Sequence, residues 1–529
     1  MNFPDRLDYA IASIYSRQAE LAKSAGLDPT DYENKSLEAY QKLLSSDAYA
    51  ENSDLTNKVS TLLEKENRYL DVKVEEDVRY YDQGISPAEW DPDTMLYNIT
   101  DHFYEKVVLS DDDRKAFPNL ADALDAVNQQ NAAVRDASYT NTPDTIYNAL
   151  TKLTRADTTV VSFVNVPSQT SEPEKTVHNL DPLTGKELTL DDVVKDVSGL
   201  EDAILETAST SGSITNTDLQ RILAEIEAGY VPFVITEKGL YFPYERPGMY
   251  FNDPGGKVLV YFDQHPELFK DSFLQKKTEY MFEADEGIAF LDDIDEDGTD
   301  ETITIDPITG SMYGKDMLIG FRLTIDGNVI EHMLTDEIES YEMFYGFSSL
   351  YIAHVGGRCF LYVSVYGEDD EETFEFMLTK TSAQYIDRFD SILRAGCNPN
   401  EVLMEHWTEL LGTGSFGRYC RLSPDNGSPI PGNDTNFYYK YSYLKAPIFL
   451  KAATDFDTVD EAGNIGQKRT VPAGTKLYLY RGDAEATYRD LQTDDGTLLR
   501  VKADKTNDWS YSINGIEVDQ IFDNLQYAG

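Results

Sequence analysis

From residue 316 to 334 the sequence DMLIGFRLTIDGNVIEHML sets Met317, Ile319, Phe321, Leu323 and Ile325 at every second position and then reaches Asp326-Gly327. Apolar residues two apart share one side of a pleated strand, whereas a helix would scatter them around its circumference. Asp-Gly supplies the positive φ angles that a two-residue hairpin turn demands. The segment is therefore expected to fold as a half-buried β-hairpin with an antiparallel sheet around it. The stretch CFLYVSVYGEDDEETFEFMLT at 359–379 repeats the idea, with two strand-like runs flanking an acidic turn and Phe360, Tyr362, Phe374 and Phe376 on strands.

The rest of the chain reads differently. At 529 residues it is several times longer than one hydrophobic core needs, so several domains are expected. In the first part Ile11, Ile14, Tyr15 and Leu21 make a helical stripe, followed by SLEAYQKLL, where Ser36 is placed to cap a helix whose first turn holds Glu38. Helix and strand signals then mix: a helix through NLADALDAVNQQNAAV, a strand in TTVVSFVNV and a helix around Leu219 to Ile226. LSPDNGSPIPGNDTNF reads as a linker, and beyond it PAGTKLYLY and LQTDDGTLLRVKA read as short strands and a hairpin turning at Asp495-Gly496. The expected fold class is multidomain α+β: a helical lead-in at 1–65, an α+β module at 66–275, a β-rich domain at 276–440 and a small all-β unit at 441–529.

The sharpest chemical signal is Asp293-Ile-Asp295-Glu-Asp297-Gly298-Thr299-Asp300-Glu301. Aspartates at positions one, three and five surround a hard cation, Gly at six permits the tight turn, and the carbonyl of Thr299 at seven adds another oxygen. An all-oxygen, flexible donor set suits calcium. Position twelve is Thr304 rather than the bidentate Glu of a helix-loop-helix sensor, and GIAFL before the loop and TITI after it place the loop between strands. It resembles the DxDxDG loops of secreted bacterial integrin-like and dockerin-like repeats. That resemblance implies that Glu301, at position nine, closes the shell around calcium. The bland alternative is an acidic turn with no ion, and even an occupied loop would brace the fold rather than catalyse.

Other chemistries find little support. Asp and Glu outnumber Lys and Arg to give a net charge of −50, which would repel phosphate backbones; nucleic acid is disfavoured as a partner, and such a surface suits cationic partners or divalent cations, or equally serves only solubility in a crowded medium. Gly412-Thr-Gly414-Ser-Phe-Gly417 has the spacing of a kinase phosphate loop, but the strand lysine, HRD and DFG elements that reaction needs are missing, so a flexible glycine loop is expected. His102, His178, His265, His332, His354 and His406 form no zinc-protease motif, and GxSxG is absent. Cys359, Cys397 and Cys420 allow one disulfide at most, and Cys420 beside Arg418 and Arg421 reads as structural. No apolar run is long enough for a transmembrane helix and the N-terminus lacks the pattern of a secretory leader.

Within residues ~66–273 the ordered pieces FPNLADALDAVNQQN, TRADTTVVSFVNV, HNLDPLTGKELTLDDVV, GYVPFVITEKGLYFPYERPGMY and KVLVYFDQHPELF resemble the paired extracellular domains of the lysozyme-binding anti-sigma factor family, also found beside a peptidoglycan deacetylase of Gram-positive bacteria. The most specific pieces are Asp181 to Asp192 and Thr236 to Tyr244. Thr184-Gly185 is a turn between strands, and Thr189 to Asp192 puts a hydroxyl and acids where a helix begins. SQTSEPEKTVH stands where that family has a Gly-Gly-Ala-His-like segment, leaving only His178 nearby. The final ~85 residues resemble a bacterial SH3-like barrel. These resemblances imply a noncatalytic extracellular or cell-surface protein of a Gram-positive-type bacterium, with leader and any lipid or wall anchor absent from this sequence, that recognises a cell-wall component or a basic protein. A cell-wall hydrolase whose carboxylates meet only in the fold, and a structural spacer, are the competing expectations.

Overall fold

The computed structural model describes residues 15, 17, 35, 68–80, 101–141, 148–167, 176–211, 214–244, 256–312, 315–334, 344–367, 371–412, 414–432, 437–440, 447–483, 487–507 and 510–525. The helical lead-in expected at 1–65, with its Ser36 cap, lies outside them apart from three isolated positions. The chain divides into two compact units, one comprising 1–79, 102–280 and 396–398, the other 80–101, 281–395 and 399–529.

The first unit is α+β. Its five-stranded sheet runs in the order β1 (Val72–Tyr80), β2 (Asp101–Leu109), β3 (Asn148–Ala156), β4 (Val161–Pro167) and β5 (Thr176–Leu180). The short α1 (Asp111–Ala116) leads into α2 (Pro118–Asn141), with Ser110 accepting a hydrogen bond from the Asp113 amide at the start of α1. Leu120 and Leu124, one turn apart on α2, are buried with Val107, Leu109, Phe163 and Leu180 of the sheet.

After β5 the chain bends at Gly185 (φ +67°) and enters the short α3 (Leu190–Val193). Asp192 accepts from both the amide and the hydroxyl of Thr189 at 2.9 and 2.7 Å, and the amide bond holds its carboxyl below the ordinary range. The turn and helix start expected from DPLTGKELTLDD are therefore present, while in place of a second strand Glu187 makes only an isolated bridge to Leu180. α4 (Val197–Ser211) and α5 (Asn216–Ala228) bury Leu200, Ile204, Ile222 and Ile226 against a second sheet of β6 (Val234–Ile235), β7 (Gly239–Tyr244) and β8 (Gly256–Tyr261).

The second unit is built of stacked sheets. One is β10 (Phe290–Asp292), β11 (Glu301–Met312), β12 (Lys315–Ile325) and β13 (Asn328–Met333); another runs β17 (Ser382–Asp390), β16 (Glu371–Thr379), β15 (Arg358–Tyr366), β14 (Gly346–Val355) and β9 (Tyr280–Glu283). The expected hairpin joins β12 to β13 at Asp326 (φ +48°) and Gly327 (φ +79°), the pair of positive φ angles a two-residue turn of this hand needs.

Ile303, Ile305, Phe321, Leu323 and Ile325 face Leu361, Val363, Phe374 and Phe376 across one apolar layer. On the opposite side of the same strands, Tyr351, Ala353, Phe360 and Tyr362 are buried with Ile392, Val402, Met404, Cys420 and Leu422. The five-stranded sheet is thus covered on both faces, which is why CFLYVSV is apolar almost throughout instead of alternating.

The third large sheet of this unit has twelve strands. Its main path is β18 (Ile392–Ala395), β19 (Val402–Thr408), β20 (Gly414–Leu422), β22 (Tyr438–Lys440), β26 (Lys476–Gly482), β27 (Tyr488–Thr493), β28 (Leu498–Lys502), β24 (Thr454–Val459) and β25 (Ile465–Val471). β21 (Pro429–Pro431) pairs with β20, β23 (Ile448–Leu450) with β26, and β32 (Phe522–Asp523) with β23. Within the stretch expected to be a linker, β21 pairs with β20, and just beyond it β22 bonds β20 on one side and β26 on the other. The strands expected to close into an SH3-like barrel at 441–529 instead extend this sheet, and no closed barrel is present among the described residues. A small sheet of β29 (Asp504–Asn507), β30 (Ser510–Ile513) and β31 (Ile516–Glu517), with α6 (Val518–Ile521), adds Tyr511, Ile513 and Val518 to the core beneath it. No helix among the described residues is long and apolar enough to cross a membrane.

Candidate cation site

The acidic loop joins β10 to β11, two antiparallel strands paired Asp292 to Glu301. Its shape comes from its own side chains: Asp293 accepts the amides of Asp297 and Gly298 at 3.0 and 2.8 Å, and Asp297 accepts the amide of Thr299 at 2.9 Å. Gly298 (φ +87°) has open space where a Cβ would stand, so its conformational freedom is the requirement, not its size. The carboxylates of Asp293, Asp295 and Asp297 offer oxygens within 4.8 Å of one another. Glu301 reaches in from β11, almost wholly buried, and accepts the Ile294 amide at 3.0 Å.

A cation of the chain itself stands at the focus. Lys380, on the turn between β16 and β17, places its ammonium 3.0 Å from Asp295, 2.8 Å from Asp297 and 2.9 Å from Glu301. Hydrogen bonds to Asp297, Glu301 and Asp295 hold that ammonium well above the ordinary lysine range, and the bond from Lys380 holds Asp297 below the ordinary carboxylate range. The ammonium shows where a hard cation would meet three negative side chains, and the donor chemistry fits one: oxygen ligands, several carboxylates and a flexible loop. Asp293, Asp295, Asp297 and Glu301 would hold it by their carboxylates and Thr299 by its carbonyl. The arrangement binds charge; with only carboxylates and an amine engaged in one another it offers no free acid–base pair.

The sequence reading missed Lys380 because it lies far from the loop along the chain, and TKTS is an ordinary polar turn. It also passed over Asp292, His354 and Cys359. His354 Nε2 and Asp292 Oδ2 are 2.6 Å apart, all three residues are buried, and their N, O and S donors lie within 4.8 Å of one another. Only the hairpin at Gly356-Gly357, which sets His354 directly opposite Cys359, hinted at the pairing.

Other titratable clusters have structural explanations. In the first unit Arg155 and Asp157, neither exposed at all, meet at 2.9 Å; Lys277 lies 3.1 Å from the same carboxylate, and the amides of Thr159 and Val160 complete its shell. Burial opposes ionisation, yet Arg155 and Lys277 hold Asp157 below its ordinary range. Cys359, Cys397 and Cys420 are buried without disulfides, and burial pushes the thiols of Cys397 and Cys420 up, so neither is activated. Gly414 and Gly417 lie in β20, paired with Thr408 and Glu405 of β19, so that part of the glycine segment is strand, while Gly412 (φ +106°) sits in a bend before it. His178 pairs with Glu187 at 2.6 Å and His406 with Asp390 at 2.5 Å.

No protein-family model matches the sequence, and no curated protein matches it either. Among solved structures, the chain is similar to a DUF3298 family protein from Pseudomonas aeruginosa, with 10% sequence identity over 40% of this chain and 99% of the other, at a TM-score of 0.27. A DUF3298 family member from Bacteroides fragilis has 11% identity over 38% of this chain and 96% of its own length, at a TM-score of 0.24.

Proposed function

We propose that this chain is a noncatalytic extracytoplasmic or cell-surface binding protein whose acidic loop responds to calcium and whose negative surface recognises a basic protein or a cell-wall component. The observation that carries the reading is the convergence of Asp295, Asp297 and Glu301 on one cationic centre, with Asp293 shaping the loop around it. A site that already gathers an ammonium has its carboxylates oriented before calcium arrives, and calcium has to displace Lys380 to enter. Binding would brace the β10–β11 connection and with it one edge of the sandwich. A charge of −50 favours encounter with cationic partners.

The test is calorimetric unfolding in calcium and in chelator, on the full chain and on Lys380→Gln. Occupancy stabilises by mass action, so calcium raises the midpoint, and raises it more once the competing ammonium is gone. Equal midpoints in calcium and chelator for both proteins would refute the reading. The hydrolase alternative gains one observation: burial pushes the Glu375 carboxyl up to about 8, against a weaker opposing bond from Ser428. Yet Glu375 has no exposed surface, and the Gly427 turn lies against it, so no substrate reaches it in this conformation.

A further inference from the structure

We propose that Asp292, His354 and Cys359 form a binding site for a thiophilic divalent cation of the zinc class, distinct from the acidic loop. His354 and Cys359 are directly opposed across the β14–β15 hairpin, so their side chains leave the sheet on the same face. Residues of matching parity, Leu350, Ile352, Leu361 and Val363, line the apolar layer between the two sheets, and Cys359 belongs to that layer. Asp292 ends β10 in the facing sheet, where Phe290, two residues earlier, enters the same layer. Two sheets thus deliver a carboxylate, an imidazole and a thiol to one buried point, with relative exposures of 0%, 2% and 1%.

The donor set decides the class of ion. Sulfur and imidazole ligands select against calcium and magnesium, which take oxygen, and suit zinc. Tetrahedral bonds of zinc length put donors roughly 3.3–3.7 Å apart. The three donors already lie within 4.8 Å of one another, and the 2.6 Å contact between His354 and Asp292 has to open by about 1 Å.

On binding, Cys359 loses its proton to solvent and coordinates as thiolate, and the hydrogen between His354 Nε2 and Asp292 Oδ2 leaves so that Nε2 offers its lone pair to the metal, with the ring's one remaining hydrogen on Nδ1 and any excess proton released to solvent. Thiolate and carboxylate then balance the two charges of the ion, so the complex is neutral, as a buried site requires. One position remains for a solvent molecule. Asp292 is the last residue of β10, whereas Asp293 already belongs to the loop, where its carboxylate accepts the amides of Asp297 and Gly298.

Cobalt(II) titration of the chelator-stripped, reduced full-length chain reads this directly. The proposal expects a sulfur-to-cobalt charge-transfer band in the near ultraviolet, saturating at about one equivalent, bleached by zinc and unaffected by calcium. The band persists in Cys397→Ala/Cys420→Ala, which keeps Cys359 as the lone thiol, and is lost in Cys359→Ser; His354→Gln weakens cobalt at least tenfold. Absence of the band from both the wild-type chain and the double variant, or its survival in Cys359→Ser, overturns the proposal, and the first result stands whether or not the Cys359 variant folds. Calcium stabilisation, measured on the same samples, stands or falls independently.

Discussion

Lys380 compensates three carboxylates at once, and its removal separates two effects that a structure alone merges. Lys380→Gln leaves Asp295, Asp297 and the buried Glu301 facing one another without a cation, so in chelator the variant should melt below the parent. In saturating calcium most of that deficit should disappear, which differential scanning calorimetry measures directly. Glu375 provides a pH-dependent counterpart. Its carboxyl titrates near 4.3 in an unfolded chain and at about 8 here, so the stabilisation is complete below the unfolded value and is lost as pH rises through the folded one. The unfolding free energy from denaturant titrations should fall between pH 5 and 8 by an amount on the order of a few kcal/mol, and Glu375→Gln should flatten that slope. At the Arg155–Asp157 pair, Asp157→Ala removes the buried carboxylate that Arg155 and Lys277 share and should cost about 3–5 kcal/mol by chemical denaturation. The loop aspartates were legible in the sequence because their spacing is local. Lys380, His354 and Glu375 were not, because what defines them is burial and a partner many residues away.

At the scale of elements, legibility followed turn chemistry. Asp326-Gly327 announced its hairpin, and the alternation before it named the buried face of β12 from Phe321 to Ile325, but a register shift at Ile319 breaks the phase, so that Leu318 joins the core and Ile319 stays half-buried. Of the C-terminal strands, β26, β27 and β28 were visible in PAGTKLYLY and LQTDDGTLLRVKA, but which strand bonds which is a long-range choice, and the pairing of β22 with both β20 and β26 leaves no mark on NFYYKYSY. The glycine spacing at 412–417 misled for the opposite reason: glycine permits a loop without requiring one. Two hairpins allow a quantitative check. Gly327→Ala places a Cβ in open space and should cost about 1–2 kcal/mol for its positive φ alone, whereas Gly356→Ala would set its Cβ 2.4 Å from the Pro424 carbonyl oxygen and should cost distinctly more in urea titrations.

For the molecule as a whole, the charge of −50 acts on stability and on encounter together. Self-repulsion opposes the compact state, so raising the salt concentration from about 0.01 to 0.15 M, which shortens the screening length from about 30 to 8 Å, should raise the melting temperature. The same change should slow association with any cationic partner while leaving its dissociation rate nearly constant, a distinction surface plasmon resonance resolves. Composition made this scale readable at once, whereas the layering of sheets was not, since apolar runs such as CFLYVSV specify burial without saying what lies above and below. That layering leaves its own signature on tolerance to change. A saturation library across the second unit should show charged substitutions depleted at every consecutive position from Cys359 to Val365, and at alternate positions from Phe321 to Ile325 of β12. A strand held between two covers thereby forfeits the neutral drift by which a half-wetted strand acquires new surface, so novelty in this unit has to arise at its rims and turns.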